Sequence, residues 1–376
     1  MEPLVTKLSE DNGRLTFTLS GVNVSIANAL RRIVISEIPC VVLRTSPHSE
    51  NRVNITVNTT RLNNELIKQR LSCIPIHISD TSTPIENYEL IIDKKNNSDV
   101  IEYVTTGDIV IKDIKSGEML SPSIVSSIFP TDSITGDHID ISRLRPRLSE
   151  DIDGEHLKFN ATLDIGIAKD NGSFNVVSTC SYGNTKDPVK IKGILDKMSV
   201  DMKADGLSEE TIDFKKKDWL LLNSELISIA DSFDFIVETI GQFTNQEIIF
   251  RATNVMIDKV KKFRSDIQTD SSLIVKTEST IENGFDIKLI SEDYTLGKAI
   301  EFVLYNNHYD RHSSKSDNIL TFCGFRKPHP HIDESMIRLG FVDNVDNAVV
   351  IQIIVNACKL LETLFIDISS YFSKTD

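Results

Sequence analysis

Apolar and polar residues alternate from Arg14 to Ser20, which predicts a strand. The spacing then changes. Ile26, Ala27, Leu30, Ile33, Val34 and Ile38 recur at helical intervals and predict a helix over Ser25–Ile38. Ser25 stands where its hydroxyl can accept an orphan backbone N–H. Pro39 stands where a residue with no N–H, and a bias against helix just before it, ends the helix. Arg31, Arg32, Ser36 and Glu37 occupy the polar side, which by pattern alone is a solvated face. Val53–Thr59 then reads as a strand and Leu62–Leu71 as a short helix. From about Thr81 to Gly172, strand-like runs at Glu89–Asp93 and Asp108–Ile114 alternate with turn clusters such as Lys95-Asn96-Asn97-Ser98 and Thr135-Gly136-Asp137. This stretch is expected to be an inserted, strand-rich domain. Gly183–Lys217 is polar and is expected to be a loop or irregular excursion, its three lysines at 215–217 solvated. Phe233–Gly241 reads as a strand, and Asn245–Arg264 as a helix with an apolar face from Ile248 to Phe263.

After a short polar join near Ser265–Ser272 the pattern starts again. Phe285–Ile290 is strand-like and Asp293 opens a helix. Leu320–Phe325 and Glu334–Gly340 follow as strands, and Asp346–Tyr371 as a long helix whose apolar stripe runs from Val349 through Leu361 and Phe365 to Ile368. Aligning the two early helices sets Ser25 against Thr295, Ile26 against Leu296, Ala27 against Gly297 and Leu30 against Ile300, a weak internal repeat. The apolar stripe survives the alignment, but Arg31 and Arg32 fall on Glu301 and Phe302. A repeat with opposite surface charge at one equivalent site cannot bind the same partner twice. Helices and strands in this order give an α+β fold.

Composition narrows the function. The chain has 376 residues, enough for two or three domains, with 40% hydrophobic and 26% charged residues. No apolar run is expected to be long and clean enough to span a membrane, and the charged N-terminus lacks an apolar signal core. A net charge of −14 opposes strong non-specific binding to a phosphate backbone. Cys40, Cys73, Cys180, Cys323 and Cys358 are scattered with no C-x-x-C spacing, which predicts reduced thiols and no metal centre or other cofactor. Two constellations offer an enzymatic alternative. His308 and His312 have the spacing of a helical metal pair, and His329 or His331 could serve Cys323 as a base, giving a metal-dependent or Cys/His hydrolase built on His308–His331. Neither has an evident third member. No glycine-rich phosphate loop and no D-x-D-x-D carboxylate cluster is present, so no nucleotidyl transfer is expected of this chain.

Four strings carry a family likeness. Asn28-Ala29-Leu30-Arg31-Arg32 followed by Ser36-Glu37-Ile38-Pro39 resembles the first helix of the RNA polymerase alpha-subunit family, which includes bacterial alpha, its archaeal D-type counterpart and the third-largest subunit of eukaryotic polymerase II. Asn64–Leu71 with Ile74-Pro75-Ile76 resembles its second signature, and Gly166–Asp170 with Ser173-Phe174 its return from the insertion. Asp293-Tyr294-Thr295-Leu296-Gly297 with Cys323-Gly324-Phe325 and Pro328-His329-Pro330 resembles the small family member, of L type in archaea and the eleventh subunit in polymerase II. The resemblance implies two alpha-like dimerisation domains paired within one chain. The first spans 1–45 and 174–265 and is split by the insertion at 46–173; the second spans 266–376. It implies a non-catalytic assembly platform of a DNA-directed RNA polymerase. Interfaces would form through Asn28, Arg31, Arg32, Glu37, Arg70, Leu296, Gly297, Pro328, His329, Pro330, Leu361 and Phe365. The implied partners are the largest and second-largest subunits and small tenth- and twelfth-type subunits, with no membrane and a monomer when isolated. Some family members carry a cysteine cluster in the insertion, whereas here that region holds Cys73 alone. Fusion of the two members is associated with large nucleocytoplasmic DNA viruses, and a composition rich in Ile, Asn, Asp and Lys suits an AT-rich genome. The expected location is therefore a cytoplasmic viral factory and the virion, or the nucleus if the source is not viral.

Overall fold

The structure, a computed structural model, describes residues 2–373 apart from 81–82, 148, 150–152, 278–279 and 310–316. A hairpin of β1 (Leu4–Asp11) and β2 (Arg14–Ser20) leads into α1 (Val24–Ser36) and β3 (Cys40–Val42). Next come β4 (Val53–Asn58), α2 (Asn64–Ser72), β5 (Tyr88–Lys95), β6 (Glu102–Thr105), β7 (Val110–Asp113), α3 (Pro122–Ile128), β8 (Asp140–Leu144), β9 (His156–Thr162) and β10 (Asp164–Gly166). The chain continues through β11 (Val177–Lys186), α4 (Pro188–Ala204), α5 (Glu209–Leu222), β12 (Ser228–Thr239) and α6 (Asn245–Thr269). It closes with β13 (Ile274–Lys276), β14 (Gly284–Ile290), α7 (Tyr294–His308), β15 (Leu320–Arg326), β16 (Glu334–Phe341) and α8 (Asn347–Ser370). The class is α+β.

The chain gathers into two compact units. One comprises Met1–Val34, Thr179–Glu238 and Asn245–Asp376, the other Ile35–Ser178 and Thr239–Thr244. In the first unit, one sheet has the order β1-β2-β12-β11 and another β13-β14-β16-β15. Asn12 and Gly13, both at positive φ, make the tight turn between β1 and β2. The alternation in β2 buries Leu15, Phe17 and Leu19 on one side. Register sets Phe17 opposite Phe235 of β12, with the rings stacked at 4.9 Å, and Phe372 meets Phe17 edge-on at 5.1 Å. The stripe of α6 buries Ile248, Ile249, Ala252, Met256, Val260, Phe263 and Ile267, and α6 packs along α8, which also packs on α7.

Several sequence expectations need correction. Asn23, not Ser25, caps α1: its Oδ1 accepts the Ser25 N–H at 2.9 Å. The stretch expected to be irregular, 183–217, instead finishes β11 and forms α4 and most of α5. Asp187 caps α4 with Pro188 in the first turn, and Ser208 caps α5. These helices carry so little core-directed apolar sequence that each buries a single residue, Ile191 and Ile212, so the helical period is faint. The expected join at 265–272 is helical up to Thr269, as the last turn of α6. The helix that Asp293 opens, α7, runs through Asn306 and Asn307 to His308. Finally, α8 is long and apolar enough to cross a membrane by composition. Here its apolar side, including Ile354, Cys358, Leu361 and Phe365, is buried in the first unit.

In the second unit a sheet of order β4-β9-β5-β7 is accompanied by the two-stranded ladders β6–β8 and β3–β10. Leu157, Phe159 and Ala161 of β9 face a core that takes Ile67 and Leu71 from α2 and Leu90 and Ile92 from β5. Asn96 is fully buried, and its side-chain amide donates to the carbonyls of Val100 and Leu144 at 2.8 and 3.0 Å. Gly154 crosses this asparagine so closely that a Cβ there would stand 1.9 Å from the Asn96 carbonyl oxygen.

Candidate functional site

The helices α1 and α7 begin alike. Asn23 caps one, and Asp293 caps the other by accepting the Thr295 N–H at 2.8 Å. These two caps are equivalent in the internal repeat but differ in charge, and the difference is used. The second oxygen of Asp293 takes Arg32 Nη2 at 2.8 Å, while Arg32 Nε donates to the Thr295 hydroxyl at 2.8 Å. The repeat counterpart of Arg32 is Phe302 and that of Asp293 is Asn23, so no equivalent ion pair is possible on the other side. Arg32 and Asp293 keep 34% and 20% of their side-chain surface. At that exposure such a pair contributes roughly 1 kcal/mol. Its effect is on orientation, and the bulk of the stabilisation comes from the apolar contact of α6 with α8. Lys259 and Glu292, both largely buried, add a 2.9 Å ion pair between α6 and the residue before the α7 cap. Glu362 of α8 receives Arg264 in close contact and Lys261 at 3.7 Å.

Arg31, one residue away, is handled differently. Its guanidinium donates through Nε and Nη2 to the amide oxygen of Asn28 at 3.1 and 2.9 Å. Among the described residues it has no carboxylate partner. It lies beside Cys180 and Tyr182 of β11; burial raises the pKa of both groups, and the arginine charge opposes that rise. Tyr182 in turn packs its ring on Phe233 and Phe235 at 5.4 and 5.2 Å. Arg31 is thus held in direction by Asn28, beside Tyr182, with no carboxylate among the described residues to balance its charge. A half-buried guanidinium of this kind suits a carboxylate brought by another chain.

The remaining residues singled out from the sequence fall in both units. Leu296, Leu361 and Phe365 are fully buried in the first. Gly297 lies under the Phe325 ring, where a Cβ would approach to 2.0 Å, and Tyr294 meets the same ring edge-on at 5.1 Å. Pro328, His329 and Pro330 form the turn from β15 to β16, where His329 Nδ1 accepts the His331 N–H at 3.1 Å. Glu37 is buried in the second unit, and Arg70 there donates to the Asp140 carbonyl at 2.9 Å. Asp293 and Glu362, which receive the arginines and lysine described above, were not singled out. Extending the Ser25–Thr295 alignment back two positions would have exposed the Asn23/Asp293 difference. Nothing in the sequence marks Glu362, because Arg264 is 98 residues away.

The hydrolase alternative finds no assembled machinery among the described residues. His308 Nδ1 meets the Asp317 carboxylate at 2.9 Å, and His312 lies outside the described residues. The Cys323 thiol points to the Glu301 carbonyl at 3.6 Å, not to a histidine, and burial pushes it up to about 12. Burial likewise raises Cys40, Cys180 and Cys358 to about 12. Cys73 is the exposed one of the five. In native protein at about pH 8, near the ordinary thiol value, a chromogenic disulfide reagent should therefore release about one fast equivalent. A Cys73→Ser variant should release none until unfolded; two or more fast equivalents from the wild type would contradict the burial described.

The RNA polymerase Rpb3/Rpb11 dimerisation domain matches residues 16–260. Subunit 3B of DNA-directed RNA polymerases IV and V from Arabidopsis thaliana is 27% identical over 311 residues, covering 69% of this chain and 89% of that protein. DNA-directed RNA polymerase subunit Rpo3 from Pyrococcus horikoshii is 26% identical over 284 residues, covering 70% and 96%. Subunit RPAC1 of DNA-directed RNA polymerases I and III from Saccharomyces cerevisiae is 22% identical over 306 residues, covering 68% and 85%.

Proposed function

The chain belongs to the RNA polymerase Rpb3/Rpb11 dimerisation-domain family, and we propose that it is a non-catalytic assembly subunit of a multisubunit DNA-directed RNA polymerase in which both members of the alpha-like pair are fused. The observation that carries the fusion is the union of α6 with α8, oriented by the one-sided Arg32–Asp293 pair, inside a single compact unit. Coverage supports it: relatives are matched over 85–96% of their length by only 68–70% of this chain. The family match ends at residue 260, ahead of α7 and α8, in the part of the chain that carries the small-member motif. In this reading α1 serves two tasks. Arg32 orients the internal pair, and Arg31 receives a carboxylate of the second-largest subunit. The largest subunit and small tenth- and twelfth-type subunits complete the assembly around the platform. The fused arrangement further suggests the transcription apparatus of a large nucleocytoplasmic DNA virus, acting in a cytoplasmic factory and carried in the virion.

Affinity purification of the tagged chain from its native source tests the function. Two very large chains should accompany it, and their absence would refute the platform reading. Arg31→Ala should leave the protein folded and weaken capture of the second-largest subunit by tenfold or more at moderate salt, since losing one partner of a buried charge pair costs about 2–5 kcal/mol. Lys217→Ala should capture it normally. Equal capture by both variants would remove Arg31 from the interface.

A further inference from the structure

We propose that a cavity on the exposed side of the β6–β8 ladder binds an acidic segment of a partner polypeptide, one that alternates carboxylate and apolar side chains. The proposal concerns the second unit alone and does not depend on the platform reading. The cavity has a volume of about 610 Å³, and Arg61, Arg70, Arg143 and Arg145 line it together with Ile101 and Tyr103. The ladder explains how they converge. Register sets Tyr103 directly opposite Arg143, and the two-residue period of a strand puts Ile101 on the side of Tyr103 and Arg145 on the side of Arg143. The intervening residues Val104 and Leu144 are fully buried, whereas Ile101 and Tyr103 remain 53% and 45% exposed.

The charges in this cavity are unevenly satisfied. Glu155 consumes Arg145, accepting its Nε at 2.5 Å and its backbone N–H at 2.7 Å. Arg70 donates to a neutral acceptor, the Asp140 carbonyl. The guanidinium groups of Arg61 and Arg143 have no hydrogen bond or ion pair among the described residues. Four arginines therefore face the carboxylates of Asp140 and Glu155, on a chain whose net charge is −14. Guanidinium forks of this kind match carboxylates or phosphates, and clustered arginines are a recurring means of reading acidic motifs.

The apolar neighbours and the layout decide between these anions. A single-stranded nucleic acid is held by a groove of cations that tracks its backbone, with aromatic rings on which successive bases stack. Here the arginines surround one cavity, a single aromatic ring lines it, and two carboxylates stand among them. The overall negative charge also repels a long polyanion. A short peptide needs no stacking platform, and with a carboxylate at every second residue it carries fewer negative charges than a nucleic acid of the same length and is repelled less. Its carboxylates meet Arg61 and Arg143, and its apolar side chains cover Ile101, Tyr103 and Leu62.

Fluorescence anisotropy on the full chain tests this, with a labelled octapeptide alternating glutamate and leucine and a labelled octauridylate RNA as probes. The peptide should bind, and more tightly than the RNA. Arg61→Ala and Arg143→Ala should each weaken it by about tenfold, the usual scale for one charge-assisted hydrogen bond, with thermal unfolding unchanged because neither group has a partner to lose. Lys217→Ala should bind as the wild type does. No peptide binding at about 100 μM, well below the millimolar range of negligible affinity, would overturn the proposal. Tighter binding of the RNA, or equal losses in the arginine and Lys217 variants, would overturn it as well.

Discussion

Phe365→Ala should destabilise the first unit by about 3–5 kcal/mol, the range for removing a buried aromatic ring and leaving a cavity. Phe365 is fully buried in the middle of α8, four residues from the equally buried Leu361, on the side of the helix that packs in the core with α6 and α7. The surrounding side chains are anchored on two long helices and cannot collapse into the space cheaply. Calorimetry should show the transition of this unit lowered by about 10 °C or more. Ile366→Ala, at a neighbouring position that is 49% exposed, should cost within about 0.5 kcal/mol, as surface changes do. A comparable loss in both variants would mean that α8 is not seated as described.

Gly154→Ala should be damaging in the second unit for a different reason. The new Cβ would meet the Asn96 carbonyl oxygen at 1.9 Å, its carbon at 3.0 Å and the Arg145 carbonyl oxygen at 3.3 Å. All three are backbone atoms, so no rotamer change relieves the contact. Relief requires displacing Asn96, which holds the Val100 and Leu144 carbonyls. The cost should reach about 3 kcal/mol or more, the upper range for overpacking. Gly193→Ala supplies the opposite sign: that residue lies within α4 and nothing stands within 4 Å of its added Cβ. Replacing glycine there should stabilise by up to about 1 kcal/mol through helix propensity. Urea unfolding of the two variants side by side reads both signs, and a neutral Gly154→Ala would contradict the close crossing at Asn96.

Much of the fold was legible because burial imposes a period. The stripes of α1, α6 and α8 and the alternation of β2 and β12 are visible in the sequence because each has one face in a core. The helices α4 and α5 were missed for the converse reason. With only Ile191 and Ile212 buried, their sequence carries cap residues but little helical period. The candidate site was less legible. Arg31 and Arg32 are adjacent and alike in the sequence, and their roles separate only when the chain brings Asp293, 261 residues away, to one of them. The same holds for Arg61, Arg70, Arg143 and Arg145. The strand register that sets Arg143 beside Tyr103 is a long-range choice that no local pattern encodes.

The ring contacts of Phe17 have a consequence for synthesis on the ribosome. Phe17 lies in the second strand of the chain, but its neighbours are Phe235 and Phe372. At roughly 5–20 residues per second, the wait between the emergence of Phe17 and that of Phe372 is on the order of 20–70 s. Throughout that interval the alternating apolar face of β2 and the stripe of α1 have no completed core to enter. The second unit, whose main stretch Ile35–Ser178 is contiguous, can close most of its sheet while the later helices are still untranslated. Birth order and packing order are therefore inverted: β2 and α1 are made before the stretch Ile35–Ser178 but find their place after it. Until α8 has been made, the exposed segment of β1, β2 and α1 depends on chaperones or on its own hairpin to stay out of aggregates.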